Sequence, residues 1–324
     1  MSIRVGLVGI SGFGGSEALR LIAGHPEFEL VYAAGNSSAG RRLVDLFPGV
    51  RTDLADLVIQ SWDPEALPAL DLLFASLPTG ASAAALARVP EGVRIVDLGG
   101  DHRDSDGWTY GLADVWPDRI RGQSRIANPG CFPAATLTTL APLLTAGLIA
   151  PEHIVIDAKT GISGAGRGGS SSFGYAESNE NLHPYGLLDH VHMPEMARTI
   201  AQLGKGTATG LVFTPHLVPM TRGVLVTIYC RGSASTQQCL EAARGFYANR
   251  PFVRVSDRPP QTKWATGSNL CLVSYAADPE RELVIAMGVI DNLGKGAAGH
   301  AVQNANLMFG LPEDAGLGGL AIWP

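Results

Sequence analysis

One cysteine in this chain sits where a thiol can be made reactive. The segment Asn128-Pro129-Gly130-Cys131-Phe132-Pro133-Ala134-Ala135-Thr136 places Cys131 between a turn and an apolar stretch. Proline is tolerated in the first turn of a helix, so Pro133 marks a start, and the apolar spacing predicts a helix over Ala134 to Ala146. The N–H groups and dipole at a helix start favour thiolate over thiol, and thiolate is the form that attacks a carbonyl carbon. Cys131 is therefore the candidate nucleophile. Cys230, Cys239 and Cys271 read as small buried hydrophobes. None of the four forms a C-x-x-C pair or a ligand-like spacing with histidine, so neither a metal site nor a disulfide framework is expected.

A cysteine nucleophile needs an acid/base partner, usually histidine. Of eight histidines, a close pair stands out in Asp189-His190-Val191-His192-Met193-Pro194-Glu195. His183, His216 and His300 read as ordinary hydrogen-bonded side chains. His102 lies between Asp101 and Arg103, after an apolar run over Val93 to Leu98. At the C-terminal edge of a parallel sheet, Arg103 is suited to bidentate contact with a carboxylate or phosphate.

A second constellation opens the chain. After the apolar run Ile3 to Ile10 comes Gly9-Ile10-Ser11-Gly12-Phe13-Gly14-Gly15, with helical character from Glu17 to Ile22. The pattern is G-x-x-G-x-x-G, a variant of the dinucleotide fingerprint. Glycine permits a tight turn and close approach to a pyrophosphate, and the helix N-terminus offers N–H groups to the anion. The candidate dinucleotide contacts are Gly9, Ser11, Gly12, Phe13, Gly14 and Gly15. Sites selective for NAD usually carry an acid at the end of the second strand. Here Phe28 to Ala34 is followed by Gly35-Asn36-Ser37-Ser38-Ala39-Gly40-Arg41-Arg42. Hydroxyls and arginines without an acid suit a 2′-phosphate, so NADP is expected, with Ser37, Ser38 and Arg41 as its contacts.

The elements that must position these residues follow from periodicity. Leu72 to Leu77 and Val93 to Leu98 are further short apolar runs, flanking the alanine-rich Ser82 to Arg88. Strand, turn, helix and strand in repetition predict a parallel sheet with crossover helices. Strands are then expected over Ile154 to Ala158, Gly210 to Phe213, Gly223 to Tyr229 and Glu282 to Ile290, and helices over Ser235 to Ala248 and Ala297 to Phe309. The expected fold class is α/β: a Rossmann-type nucleotide-binding domain over 1–130, with the C-terminal segment 292–324, and a second, α+β domain over 131–291.

Composition narrows the function class. The 324 residues carry 24 basic and 30 acidic side chains, a net charge of −6, and 46% are hydrophobic. Disorder is excluded, and the basic surplus of a general nucleic-acid binder is missing. No apolar stretch approaches the ~18 residues of a membrane span. A cytoplasmic protein is expected.

Several blocks resemble the N-acetyl-gamma-glutamyl-phosphate reductase family. They are Gly9-x-Ser11-Gly12-Phe13-x-Gly15, Asn128-Pro129-Gly130-Cys131-Phe132-Pro133 and Gly161-Ile162-Ser163-Gly164-Ala165-Gly166-Arg167. Pro215-His216-Leu217, Gly267-Ser268-Asn269 and Asp291-Asn292-Leu293-Gly294-Lys295-Gly296 extend the likeness along nearly the whole chain. The resemblance implies NADPH-dependent reductive dephosphorylation of an acyl phosphate in arginine biosynthesis. It also implies a second domain like that of glyceraldehyde-phosphate dehydrogenase, and a homo-oligomer, dimer or tetramer. It makes Cys131 the nucleophile, His192 the acid/base and His190 a substrate contact. Arg103 is expected to hold the substrate phosphate, Asn128 and Arg167 to bind substrate, and Ser163, Gly164 and Asn292 to lie near the nicotinamide. Two positions depart from the family pattern: Val191 stands where an arginine is usual, and His102 where phenylalanine is usual. Rival readings are a lysine-pathway aminoadipyl-phosphate reductase, one methylene longer in its substrate, and an NADPH-binding redox sensor without turnover.

Overall fold

The computed structural model describes residues 2–167 and 174–322. They divide into two compact units: unit 1 holds residues up to Pro129 and Ala297–Gly318, and unit 2 holds Gly130–Gly296 and the residues from Gly319. In chain order unit 1 forms β1 (Ile3–Val8), α1 (Phe13–Ala23), β2 (Phe28–Ala34), α2 (Leu43–Leu46), β3 (Leu72–Ala75) and α3 (Ser82–Leu86). Next come β4 (Arg94–Asp97), β5 (Thr109–Tyr110), α4 (Pro117–Ile120) and β6 (Arg125–Ala127). Unit 2 begins with α5 (Cys131–Thr145), β7 (Val155–Thr160), α6 (Tyr175–Ser178), β8 (His183–Pro184) and α7 (Met193–Gly204). It continues through β9 (Val212–Leu217), β10 (Val224–Arg231), α8 (Thr236–Phe246), β11 (Val253–Val255), β12 (Cys271–Asp278) and β13 (Leu283–Ile290). The last helix, α9 (Gly299–Phe309), belongs to unit 1.

The sheet of unit 1 has the order β2-β1-β3-β4-β6-β5, every pair parallel. Strands buried on both faces read as continuous apolar runs, which is why Leu72–Ala75 is buried throughout. Strand order reverses beside β1, since β2 lies on one side of it and β3 on the other. The crevice at the C-terminal end of such a strand is where open α/β sheets bind ligands.

His25 ties the end of unit 1 to its start. Its ring is buried, stacks on Phe28 at 3.7 Å and places Nε2 3.0 Å from Asn306 Oδ1. Gly316, with φ +70°, leaves room for that ring, which a Cβ there would strike. Burial lowers the His25 pKa below its ordinary 6.5, against smaller opposing effects of Asn306 and Glu27. Unfolding therefore takes up a proton. The contribution is complete above about pH 6.5 and is lost as pH falls below it. Urea midpoints should drop between pH 7.5 and 5.5, and His25→Gln should flatten that dependence; an unchanged slope in the variant would remove His25 as its source.

Unit 2 is built on a mixed sheet of order β11-β12-β13-β10-β7-β9-β8. Helices α5 and α8 pack on it. Thirteen residues of α5 are buried, so it is a core helix and not an amphipathic one. Pro142 lies inside it and cannot donate to the carbonyl of Thr138 four residues back. The hydroxyl of Tyr247 donates there instead, at 2.6 Å. A buried carbonyl left without a donor costs about 1–3 kcal/mol. The Tyr275 hydroxyl donates to the next carbonyl, that of Thr139, at 2.9 Å. The helix that begins at Cys131 is thus held from the side at its midpoint.

Two features differ from expectation. Helix α7 and strand β12 were not anticipated, because Met196, Ile200 and Leu203 follow a polar, histidine-rich segment, and serine and alanines dilute β12. Residues 292–296 and 319–322, expected with the nucleotide-binding half, cluster with unit 2. Local bonds accompany this: Gly223 N–H donates to Asn292 Oδ1 at 2.8 Å, and Ile322 N–H donates to the carbonyl of Thr266 at 2.8 Å.

Candidate active site

Cys131 is the first residue of α5, after Gly130 in extended conformation, and no side chain caps this helix start. The thiol is half-buried, whereas Cys230, Cys239 and Cys271 are buried. Burial pushes the Cys230 thiol up to about 12 and raises Cys239 as well, which keeps both protonated. Cys131 instead lines a cavity of about 230 Å³ with Phe132, Gly164, Tyr185, His190, Val191 and His192.

Glycines on two sides bring the backbone against this site. A Cβ at Gly130 would strike Nε2 of His192 and lie 2.7 Å from its Cδ2. A Cβ at Gly296, in the π-helical turn Gly294–Ala298, would lie 2.8 Å from Cys131 Cβ. The N–H of Gly130 donates to the buried carboxylate of Glu195 at 3.1 Å, which fixes the peptide before the thiol.

The two histidines are not equivalent. His192 stands at the N-terminus of α7, and its backbone N–H donates to Nδ1 of His190 at 3.1 Å. His190 must therefore keep that nitrogen deprotonated and carry its proton on Nε2. Burial lowers its pKa, with Asp189 opposing, in keeping with a neutral ring. Phe213 packs edge-on against both His190 and Phe132, with centroids 5.1 Å apart in each case. The rings of His190 and His192 are 5.0 Å apart.

Ser163 and Asn292 are brought together: Asn292 Nδ2 donates to Ser163 Oγ at 3.0 Å, and Asn292 Oδ1 accepts from Gly223 N–H at 2.8 Å. Gly164 lies in the cavity wall beside Thr160. Arg167 is exposed and is not among the residues that line the cavity.

The remaining expected residues belong to unit 1. Gly9 has φ +81°, and a Cβ there would strike the carbonyl oxygen of Ser76. A Cβ at Gly15 would strike the carbonyl oxygen of Gly9, so the helix packs directly on the loop. At Gly12 the nearest atom would be 3.5 Å away, so its surface stays open, and no side chain caps α1. Tight turn, open approach and close helix contact are what a pyrophosphate cradle requires of three glycines. Ser11, Phe13 and Gly14 lie between them, partly exposed. A Cβ at Gly35 would lie 2.9 Å from Ser38 Oγ and 3.8 Å from Ser11 Oγ, so the turn after β2 adjoins this loop. Ser37 is exposed, but Ser38 is buried and donates to Gly35 O at 3.3 Å. Arg42 is engaged by Asp45 and Asp56, at 3.0 and 3.2 Å. Arg41 reaches only a backbone carbonyl, that of Asp45, among its described hydrogen bonds.

At the ends of β4 and β6, Arg103 Nε donates to Asn128 O at 3.0 Å. The Asn128 side chain is fully buried: Nδ2 donates to Ala297 O at 3.2 Å and Oδ1 accepts from Asn304 at 3.0 Å. That burial does not fit the expected direct contact with substrate. Those bonds tie the end of β6 to Ala297 and to Asn304 in α9.

Residues 4–123 match the family model described as semialdehyde dehydrogenase, NAD binding domain, and residues 131–292 the one described as semialdehyde dehydrogenase, dimerisation domain. The N-acetyl-gamma-glutamyl-phosphate reductase of Methylobacterium sp. (strain 4-46) is 76% identical over 325 residues, covering 100% of both chains. That of Bradyrhizobium sp. (strain ORS 278) is 75% identical over 324 residues, with the same coverage. The chain belongs to the N-acetyl-gamma-glutamyl-phosphate reductase family. Its fold is also that of aspartate semialdehyde dehydrogenase with NADP from Candida albicans, with a TM-score of 0.75 at 18% identity over 95% of this chain and 99% of that one.

Both departures from the reductase family pattern have a visible setting. Val191 lines the cavity and is largely exposed, an apolar side chain open to solvent. His102 is buried, with Nδ1 2.7 Å from the fully buried Asp97 carboxylate and its ring stacked on Trp108 at 3.9 Å. Tyr185 and Glu195 were missed as site residues. Tyr185 lines the cavity, and burial, helped by Cys131, raises its pKa so that the hydroxyl stays protonated. Glu195 carried a signal, the Pro-Glu start of a helix beside the histidine pair.

Proposed function

We propose that this chain reduces N-acetyl-gamma-glutamyl phosphate to N-acetylglutamate semialdehyde with NADPH, through a Cys131 thioester, as a step of arginine biosynthesis. The observation that carries this reading is the half-exposed Cys131 in one cavity with His190 and His192. Cys131 Sγ gives its proton to His192 and bonds to the acyl carbon. The carbon–oxygen bond to phosphate breaks, and His192 passes the proton to the leaving phosphate. When bound, the dinucleotide supplies a hydride to the acyl carbon. The carbon–sulfur bond then breaks, the carbonyl reforms as an aldehyde, and the thiolate recovers a proton. Amides of the first turn of α5 stabilise oxyanion charge at this carbon. His190, with its proton on Nε2, orients substrate and holds the His192 backbone. Arg103 binds the substrate phosphate.

The residues after β1 and β2 fit NADP: Gly9, Gly12 and Gly15 would take the pyrophosphate, and Arg41 with Ser37 the 2′-phosphate. Unit 1 is accordingly the nucleotide-binding unit, and unit 2 the catalytic and association unit of a homo-oligomer. A cytoplasmic location is part of this reading, in keeping with the use of NADPH and a labile acyl phosphate. Among the described residues no helix is long and apolar enough to cross a membrane. Arg41→Ala should lower the preference for NADPH over NADH about 10- to 100-fold, the worth of a charge-assisted hydrogen bond. An unchanged ratio of kcat/KM values would remove Arg41 from the 2′-phosphate site.

The deciding assay runs in reverse, with phosphate, NADP and the N-acetylated semialdehyde. Phosphate-dependent NADPH formation is expected, faster with the glutamate-length aldehyde than with one a methylene longer. No formation with either would overturn the reading.

A further inference from the structure

We propose that His102 is a positioning residue for the substrate phosphate: paired with Asp97, it sets the segment that carries Arg103. The proposal rests on the reading above that Arg103 binds that phosphate. Asp97 ends β4, and it is fully buried. A carboxylate out of reach of water must be given donors, and one deprived of them is costly. Gly99 N–H donates to Oδ1 at 2.8 Å, and Nδ1 of His102 lies 2.7 Å from Oδ2. Because an ionised carboxylate only accepts, Nδ1 is the donor of this pair.

The same few residues hold Arg103. Its Nε donates to Asn128 O at 3.0 Å and its Nη2 to Leu98 O at 3.4 Å. Asn128 N–H in turn donates to Asp97 O at 2.8 Å. Asp97 therefore fixes with its main chain a residue that receives Arg103, and with its side chain the residue that precedes Arg103. The His102 ring is also held by its face, stacked on Trp108 with planes 17° apart. One residue earlier, Asp101 accepts from Gly80 N–H at 2.5 Å and from Ala83 N–H at 3.0 Å. Without the imidazole, Oδ2 of Asp97 loses its donor inside the protein. A shift of residues 98–103 that lets water reach this oxygen relieves the cost, and it takes Arg103 off the two carbonyls that aim it. A guanidinium recognises an oxyanion by the placement of its fork, so phosphate binding suffers from that shift. Cys131, His190 and His192 all lie in unit 2, away from this segment of unit 1.

The test runs the phosphate-dependent reverse assay on the full chain, varying phosphate, NADP and aldehyde in turn. His102→Phe keeps a ring for Trp108 and removes the donor to Asp97. It should raise KM for phosphate about tenfold or more, the worth of a hydrogen bond to a charged group, and leave kcat and the other KM values within about twofold. His102→Asn keeps a donor near the Nδ1 position and should recover most of that loss. An unchanged phosphate KM in the phenylalanine variant would overturn the proposal. So would a loss shared by kcat and all three KM values, which is the mark of a merely structural residue. An asparagine variant as impaired as the phenylalanine one would overturn the pairing with Asp97 as the cause. Arg103→Ala separates the proposal from the reading beneath it. A phosphate KM unmoved there removes Arg103 as the phosphate ligand, and the proposal with it; a rise there but not in His102→Phe removes only the positioning role. Thermal unfolding checks that each variant is folded. If His102→Phe is not, His102→Gln carries the test, since its amide lies a bond farther out than Nδ1, and its unaltered phosphate KM would overturn the proposal.

Discussion

Cys131→Ser is expected to lower phosphate-dependent turnover by at least about 10³-fold while leaving NADPH affinity within about twofold. The size of the effect follows from the leaving group. A thioester accepts hydride more readily than an oxygen ester, and thiolate departs where serine alkoxide would not. The selectivity follows from where the residues lie: Cys131 opens α5 in unit 2, and the dinucleotide glycines are in unit 1. Measured rates together with fluorescence titration of NADPH separate the two. A serine enzyme with near-normal rate would end the covalent scheme, and one that also lost NADPH would indicate misfolding.

His192→Asn should cost about 10²–10⁴-fold in kcat, the usual worth of general acid–base catalysis. His190→Asn should cost less, because asparagine still offers an acceptor to the His192 N–H that His190 Nδ1 now serves. The contrast tests the division of labour between the rings, for an order of severity reversed between the two variants would make His190 the proton carrier. The proposed role of His192 draws on more than the H-x-H spacing. Nδ1 of His190 is occupied by a main-chain donor, and burial keeps that ring neutral. His192 packs so tightly on Gly130 that no side chain is tolerated there.

Much of the architecture was legible from period and punctuation. Four of the strands in unit 1 and the buried helix after Cys131 are short, largely apolar runs, and such signals are local. Strand β12 and helix α7 were not legible, since their apolar residues are interrupted by serine, alanine and charges whose burial depends on neighbours distant in sequence. The same limit applied at the site. Cys131 was visible because the helix start beside it is a local signal. The bond of Glu195 to Gly130, 65 residues away along the chain, was not. Asn128 sat in the most specific block and so invited a direct role, yet its amide is consumed by Ala297 and Asn304.

Reading residues in order was enough to establish the thiol, the histidine pair, the glycine turn, the lack of an acid after β2, and the family they belong to. Those are matters of composition and short spacing, which the chain carries whether or not it is folded. The fold alone decided which imidazole nitrogen accepts a main-chain N–H, which arginine after β2 forms ion pairs with Asp45 and Asp56, and which residues line the cavity with Cys131. Each of those depends on desolvation and on hydrogen bonds between segments that only packing brings within 3 or 4 Å of one another.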